Sequence, residues 1–171
     1  MKHTLSVTVQ NKPGVLSRVA GLFSRRGYNI ESIAVGETEN PELARMVIVV
    51  DGEKCNIESI IKNLHKLIDV LKVQDLTHES MVERELVLIK VKADATTRTE
   101  ILQIVQIFRA NVVDVGEHSL VIELTGDEGK VRAMLNLLQP FGIIELVRTG
   151  VIAMARGNRA STTGVRSSRI A

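Results

Sequence analysis

Asn11-Lys12-Pro13-Gly14-Val15-Leu16 separates two kinds of periodicity and decides how the chain is read. Before it, residues 3–10 alternate, with Leu5, Val7 and Val9 on one face, as in a half-buried strand. After it, Val15, Leu16, Val19, Leu22 and Phe23 recur at helical spacing up to Gly27, a stop signal. Pro13-Gly14 is thus a strand-to-helix turn. Its backbone N–H groups stand at a helix N-terminus, where a small carboxylate can dock. Gly14 allows close backbone approach, and the Asn11 side-chain carbonyl can accept from a ligand ammonium. The plainer alternative is a tight turn with a capping role.

Outward from this turn the pattern is βαββαβ. Residues 29–35 return to strand, 44–50 form an apolar strand, Ile57, Ile60, Ile61, Leu64 and Ile68 mark a second helix, and 70–76 close the unit. The plan then repeats. Residues 85–92 alternate around Leu86, Leu88 and, less cleanly, Val91; Ile101, Ile104, Val105 and Phe108 mark a helix, and 112–115 and 120–124 are strands. Val131, Met134, Leu135 and Leu138 mark another helix, before one long closing strand over 143–154 with a bend at Gly150. The expected fold is α+β: two tandem ferredoxin-like sandwiches, each an antiparallel sheet with helices on one face. The boundaries read as 1–76, a linker at 77–84, a second domain at 85–158 and a disordered basic tail at 159–171. Units this small, with uncovered apolar sheet faces and edges, predict a homodimer or larger assembly.

Composition excludes several functions. With 2% aromatic residues the cores are aliphatic, and the strands that would stack bases in an RNA-recognition module carry Leu5, Val7, Val9, Val47 and Val49. Five arginines and no acid follow residue 145, leaving 17 basic and 20 acidic residues before it. The net +2 charge is therefore a property of the C-terminal end, and nucleic acid is not an expected partner. No membrane span or signal peptide is read, and the single Cys55 fits a reducing cytoplasm. His3, His65, His78 and His118 have no metal spacing, Glu83 and Glu85 read as solvated charges, and no nucleophile or acid–base arrangement is visible.

Two comparisons sharpen the opening turn. Its counterpart, Ala93-Asp94-Ala95-Thr96-Thr97, has neither Pro nor Gly, so ligand binding is expected in the first unit alone. Asn29, within Arg26-Gly27-Tyr28-Asn29-Ile30, offers a second amide. It stands a helix length away, about 18–20 Å, and can reach the Gly14 turn only from another subunit.

Taken in order, these segments resemble a known family. The turn matches the N-x-P-G-x-L pattern of ACT domains, which sense amino acids. Leu16-Ser17-Arg18-Val19, Arg26-Gly27-Tyr28-Asn29-Ile30-Glu31-Ser32, Leu64-His65-Lys66-Leu67-Ile68-Asp69-Val70, Val82-Glu83-Arg84-Glu85-Leu86 and Arg148-Thr149-Gly150-Val151 resemble the small regulatory subunits of acetolactate synthase. The resemblance implies a non-catalytic subunit that activates a separate catalytic large subunit and confers feedback inhibition, typically by valine. Thiamine diphosphate, Mg²⁺ and FAD then belong to the large subunit, with no cofactor and no metal in this chain. The effector would lie between two ACT domains of a homodimer, held by Asn11, Gly14, Val15 and Leu16 of one chain and by Asn29 and Ile30 of the other, with Leu16 and Val35 as apolar walls. The alternative is a stand-alone ACT-type amino-acid-binding regulator of another enzyme or of transcription.

Overall fold

The computed structural model describes residues 1–158; the tail expected at 159–171 lies outside them. The chain forms two units: Met1–Val82 joined by Val151 and the described residues after it, and Glu83–Gly150. Both expected sandwiches are present.

The first unit contains β1 (Lys2–Gln10), α1 (Val15–Arg26), β2 (Ile30–Glu37), β3 (Leu43–Asp51), α2 (Ile57–His65) and β4 (Val70–Asp75). Its antiparallel sheet has the order β2-β3-β1-β4, so β2 and β4 are its edges. Leu5, Val7 and Val9 of β1 and Met46, Ile48 and Val50 of β3 meet Val15, Val19, Leu22 and Phe23 of α1 and Ile60 and Leu64 of α2. This is the aliphatic core that the alternation on β1 requires. The α2 register ends early. Ile68, expected on its apolar face, is 90% exposed, because the helix stops at His65 and the chain turns back to β1 through Gln10 N donating to Asp69 O (2.9 Å).

The second unit contains β5 (Met81–Lys92, whose first two residues belong to the first unit), α3 (Arg98–Ile107), β6 (Asn111–Val115), β7 (Ser119–Gly126), α4 (Glu128–Leu138) and β8 (Ile143–Arg148). The order is β6-β7-β5-β8. Its core joins Val87, Ile89, Val91, Leu120, Ile122 and Leu124 to Ile101, Val105, Val131, Met134 and Leu138.

Several expectations change here. The phase of β5 is opposite to that expected from Leu86 and Leu88: Val87 and Ile89 are buried, in phase with Val91, whose burial matches the expectation. Residues 86–89 are apolar on both faces, so alternation alone leaves the phase open; pairing of Ile89 with Ile122 and of Val87 with Leu124 decides it. Glu85 is not a solvated charge. It is 4% exposed and accepts from Arg148 Nη1 at 3.2 Å, since β8 lies beside β5. The closing strand is two strands, β8 and β9 (Ile152–Ala155), with Gly150 at φ 88° between them. β9 belongs to the first unit, so the second ends at Gly150 rather than at 158. Ala153 packs on Val47 and Leu76, Val151 N donates to Ser32 Oγ (2.9 Å), and Arg156 N donates to Ser80 O (2.8 Å). β9 pairs with β5, which begins at Met81, so residues 81–84 are strand and the linker is shorter than expected.

Candidate functional site

Gly14 is the N-cap of α1, at φ 85° and ψ −11°, a left-handed conformation that suits glycine. The helix ladder starts with Arg18 N donating to Gly14 O (3.0 Å). No side chain caps this helix. The first-turn amides of Val15 and Leu16 therefore point outward, as every helix leaves its leading N–H groups without internal acceptors.

The other helices treat the same groups differently. Asn56 accepts from Ser59 N (3.0 Å) at the start of α2, and Asp127 accepts from Lys130 N (2.8 Å) at the start of α4. Before α3, Asp94 Oδ1 accepts from Thr96 N (2.8 Å) and Thr97 N (3.0 Å). The hydrogen bonds from the Thr96 hydroxyl, first, and from these amides hold the Asp94 carboxyl at about 2, well below its ordinary value. The counterpart turn thus contains its own carboxylate on the amides that lead into α3, which has no side-chain cap of its own, and the α1 turn contains no such carboxylate.

Three further contacts shape the α1 turn. Asn11 N donates to Glu42 O (2.8 Å) and Asn11 Nδ2 to Pro41 O (2.9 Å), which fastens the turn to the loop between β2 and β3 and leaves Oδ1 as the remaining acceptor of the side chain. Lys12 Nζ is 2.9 Å from Asp69 Oδ1, and Arg18 Nη1 donates to Asp69 Oδ2. The Asp69 side chain is 6% exposed; Lys12, foremost, and Arg18 lower its pKa and keep it ionised at neutral pH.

Asn11, Gly14, Val15 and Leu16 come together at one end of the first unit. Val15 contributes only its amide, since its side chain is buried in the core. Leu16 is 48% exposed and Val35, on the edge strand, 47%. Val35 pairs with Met46, and Met46 pairs with Val7, so Val35 projects on the helix side of the sheet. Asn29 and Ile30 are not brought to this cluster. They follow Gly27 at the far end of the 12-residue α1, about 18 Å away at about 1.5 Å per residue. Asn29 is exposed and Ile30 half-buried.

Sequence reasoning gave no role to Lys12, Arg18 and Asp69. A lone acid between Ile68 and Val70 is no signal until the fold returns it to the turn. It also scattered the histidines, yet His3 and His78 meet edge to face at 5.8 Å, with His3 Nδ1 3.0 Å from Asp75 Oδ2. Among the described residues no group of three or more His, Cys, Asp or Glu is arranged to hold a metal ion. Cys55 donates from Sγ to Asp51 O at 2.9 Å, and burial raises its thiol pKa. No helix among the described residues is long and apolar enough to cross a membrane.

Comparison with known proteins agrees with this architecture. Residues 5–72 match the family model described as an AHAS small subunit-like ACT domain, and residues 84–157 match that described as the small subunit of acetolactate synthase. The chain is 57% identical over 159 residues to a probable acetolactate synthase small subunit of Archaeoglobus fulgidus, covering 93% of this chain and 99% of that one. It is 53% identical over 161 residues to an acetolactate synthase small subunit of Mycobacterium bovis, covering 94% and 96%. The crystal structure of an acetolactate synthase small subunit from Thermotoga maritima superposes with a TM-score of 0.82 at 47% identity, covering 93% of this chain and 99% of that one. With both units matched and more than half of the residues shared with full-length relatives, the chain belongs to the family of acetolactate synthase small subunits.

Proposed function

We propose that this chain is a non-catalytic regulatory subunit that activates a catalytic acetolactate synthase large subunit and confers feedback inhibition by L-valine. The observation that carries the effector site is the open N-terminus of α1, with Gly14 left-handed and the Asn11 amide held beside it, where α2 and α4 cap themselves with Asn56 and Asp127 and the turn before α3 has Asp94 on its own amides. An α-amino acid supplies what this turn lacks: a carboxylate for the Val15 and Leu16 amides and an ammonium for Asn11. Leu16 and Val35 are apolar walls for a branched side chain.

The site is completed by a second copy of the chain. β1 and β2 run in the same direction, since both are antiparallel to β3. The C-terminal end of β2 therefore lies at the Gly14 end of the sheet, and Asn29 at the other. Antiparallel pairing of two β2 edges brings Asn29 and Ile30 of one protomer beside the Gly14 turn of its partner. In this reading thiamine diphosphate, Mg²⁺ and FAD reside in the large subunit, and the complex works in the cytoplasm. Valine acts by linkage: it shifts activity only through differential affinity for two arrangements of the complex, typically about 1–3 kcal/mol.

Titration of the chain with L-valine, L-leucine and L-isoleucine tests the site, with L-valine expected to bind most tightly. Added to a catalytic large subunit, the chain is expected to raise the rate of acetolactate formation, and L-valine to reverse the gain. No binding of any of the three, or no activation, overturns the reading.

A further inference from the structure

The cluster behind the Gly14 turn holds two cations and one anion. Asp69 occupies Lys12 with one carboxylate oxygen and Arg18 Nη1 with the other. Arg18 Nη2 is left over. It lies 3.8 Å from the point where a Cβ on Gly14 would stand, with Cζ at 4.0 Å, so the guanidinium is in contact distance of the turn. No acceptor for Nη2 occurs among the described residues. Two of the three charges in this network are positive, and the unused N–H groups of Arg18 are beside the helix terminus that has no side-chain cap.

The Asp69 backbone adds to this arrangement. Asp69 O accepts from Gln10 N (2.9 Å), immediately before the turn. The residue therefore grips the end of β1, Lys12 within the turn, and Arg18 one helical turn further on. The Arg18 side chain is 56% exposed, so it has room to swing into solvent unless Asp69 holds it. A guanidinium presents a planar fork of donors, and one edge on Asp69 orients the remaining donors in a fixed direction.

We propose that Arg18 is a specificity-determining residue of the effector site, pairing its free guanidinium edge with the effector α-carboxylate, and that Asp69 is the positioning residue that aims it. The proposal rests on the effector site described above and assigns two residues to it. Its chemical consequence is selection for an amino acid with a free carboxylate. The amides of Val15 and Leu16 alone would donate to any small acceptor, whereas a cation beside them favours an anion.

The test is calorimetric titration of the full chain with L-valine, with L-leucine and L-isoleucine in parallel, in the wild type, Arg18→Gln, Arg18→Lys, Asp69→Asn and the double variant Arg18→Gln/Asp69→Asn. Arg18→Gln is expected to weaken L-valine binding about tenfold, the size of one charge-assisted contact. Arg18→Lys should recover part of the loss, because the charge is kept without the fork. Asp69→Asn should weaken binding in the wild-type background and add little in the Arg18→Gln background, since it acts through Arg18. A purely structural Asp69 would add its full loss in both backgrounds, and that result overturns the positioning role. Unchanged affinity in Arg18→Gln overturns the role of Arg18 while leaving the effector site standing. Failure of the wild type to bind any of the three amino acids overturns the effector site and this inference together. Urea denaturation of each variant separates loss of fold from loss of affinity.

Discussion

Gly14 and Asp94 solve one local problem in opposite ways. Both stand where a strand turns into the first helix of a βαββαβ unit, and both face amides without helical acceptors. Asp94 satisfies those amides from within, and its carboxyl is held at about 2 as a result. Because the folded value lies below the ordinary 3.8, this contribution to stability is fully present above pH 3.8 and is lost as the pH falls toward 2. Asp94→Ala is therefore expected to lower the melting temperature at pH 7, with the difference from wild type vanishing near pH 2. A difference that persists at pH 2 would show that the side chain acts through packing rather than charge. At Gly14 no such internal partner exists. Gly14→Ala forces a left-handed alanine, which costs about 1–2 kcal/mol, although its Cβ would meet Arg18 only at ordinary contact distance. A measurable loss of stability by urea denaturation, without loss of the folded state, is the expected result.

At the scale of elements, β9 is the least expected part of the fold. Residues 143–154 are mostly apolar, interrupted by Glu145 and by Arg148-Thr149-Gly150, and read as a single strand bent at Gly150. The strand ends at Arg148, and the chain, at φ 88° on Gly150, returns to the first unit. There Ala153 covers Val47 and Leu76, which lie away from the helical core. Ending the chain after Gly150 should expose both. At about 25 cal/mol per Å² of apolar surface the loss is on the order of 2 kcal/mol, and it should appear as a lower melting temperature of the first unit. Unchanged unfolding of the truncated chain would contradict a stabilising role for β9. The same comparison explains why α2 ends before Ile68: a tertiary hydrogen bond from Gln10 N to Asp69 O replaces another helical turn.

For the whole molecule, the question is whether one chain suffices for a complete effector site. The Gly14 turn and Asn29 stand at opposite ends of α1, so no side-chain rotation joins them within one protomer. The proposed dimer joins them twice, once at each end of the paired β2 edges. Subunit complementation tests this. Gly14→Asp and Asn29→Ala are each expected to lose L-valine binding as homodimers. Mixed after partial unfolding and refolding, they form heterodimers in which one site has both residues altered and the other is intact. Recovery of one site per heterodimer, half the wild-type number, is expected. No recovery in verified heterodimers means that each site lies within a single chain.

The order of elements up to β8 was legible from the residues alone, because apolar spacing differs between strand and helix and because Pro13-Gly14 and Gly27 interrupt it. So was the interest of the Asn11 to Leu16 turn, since a Pro-Gly break between strand and helix periodicity is visible in the residues themselves, whereas the missing side-chain cap is visible only in the structure. The phase of β5 was not: a strand apolar on both faces takes its orientation from the partner it pairs with, here β7. The ion pairs of Glu85 with Arg148 and of Asp69 with Lys12 and Arg18 were hidden for a related reason, since each spans more than fifty residues of chain and no local pattern signals it. Local periodicity determined the two βαββαβ units and their turns. Only the tertiary structure decided which residues stand around the Gly14 turn and which unit receives the last strand, because long-range pairing and burial are settled when separate segments meet.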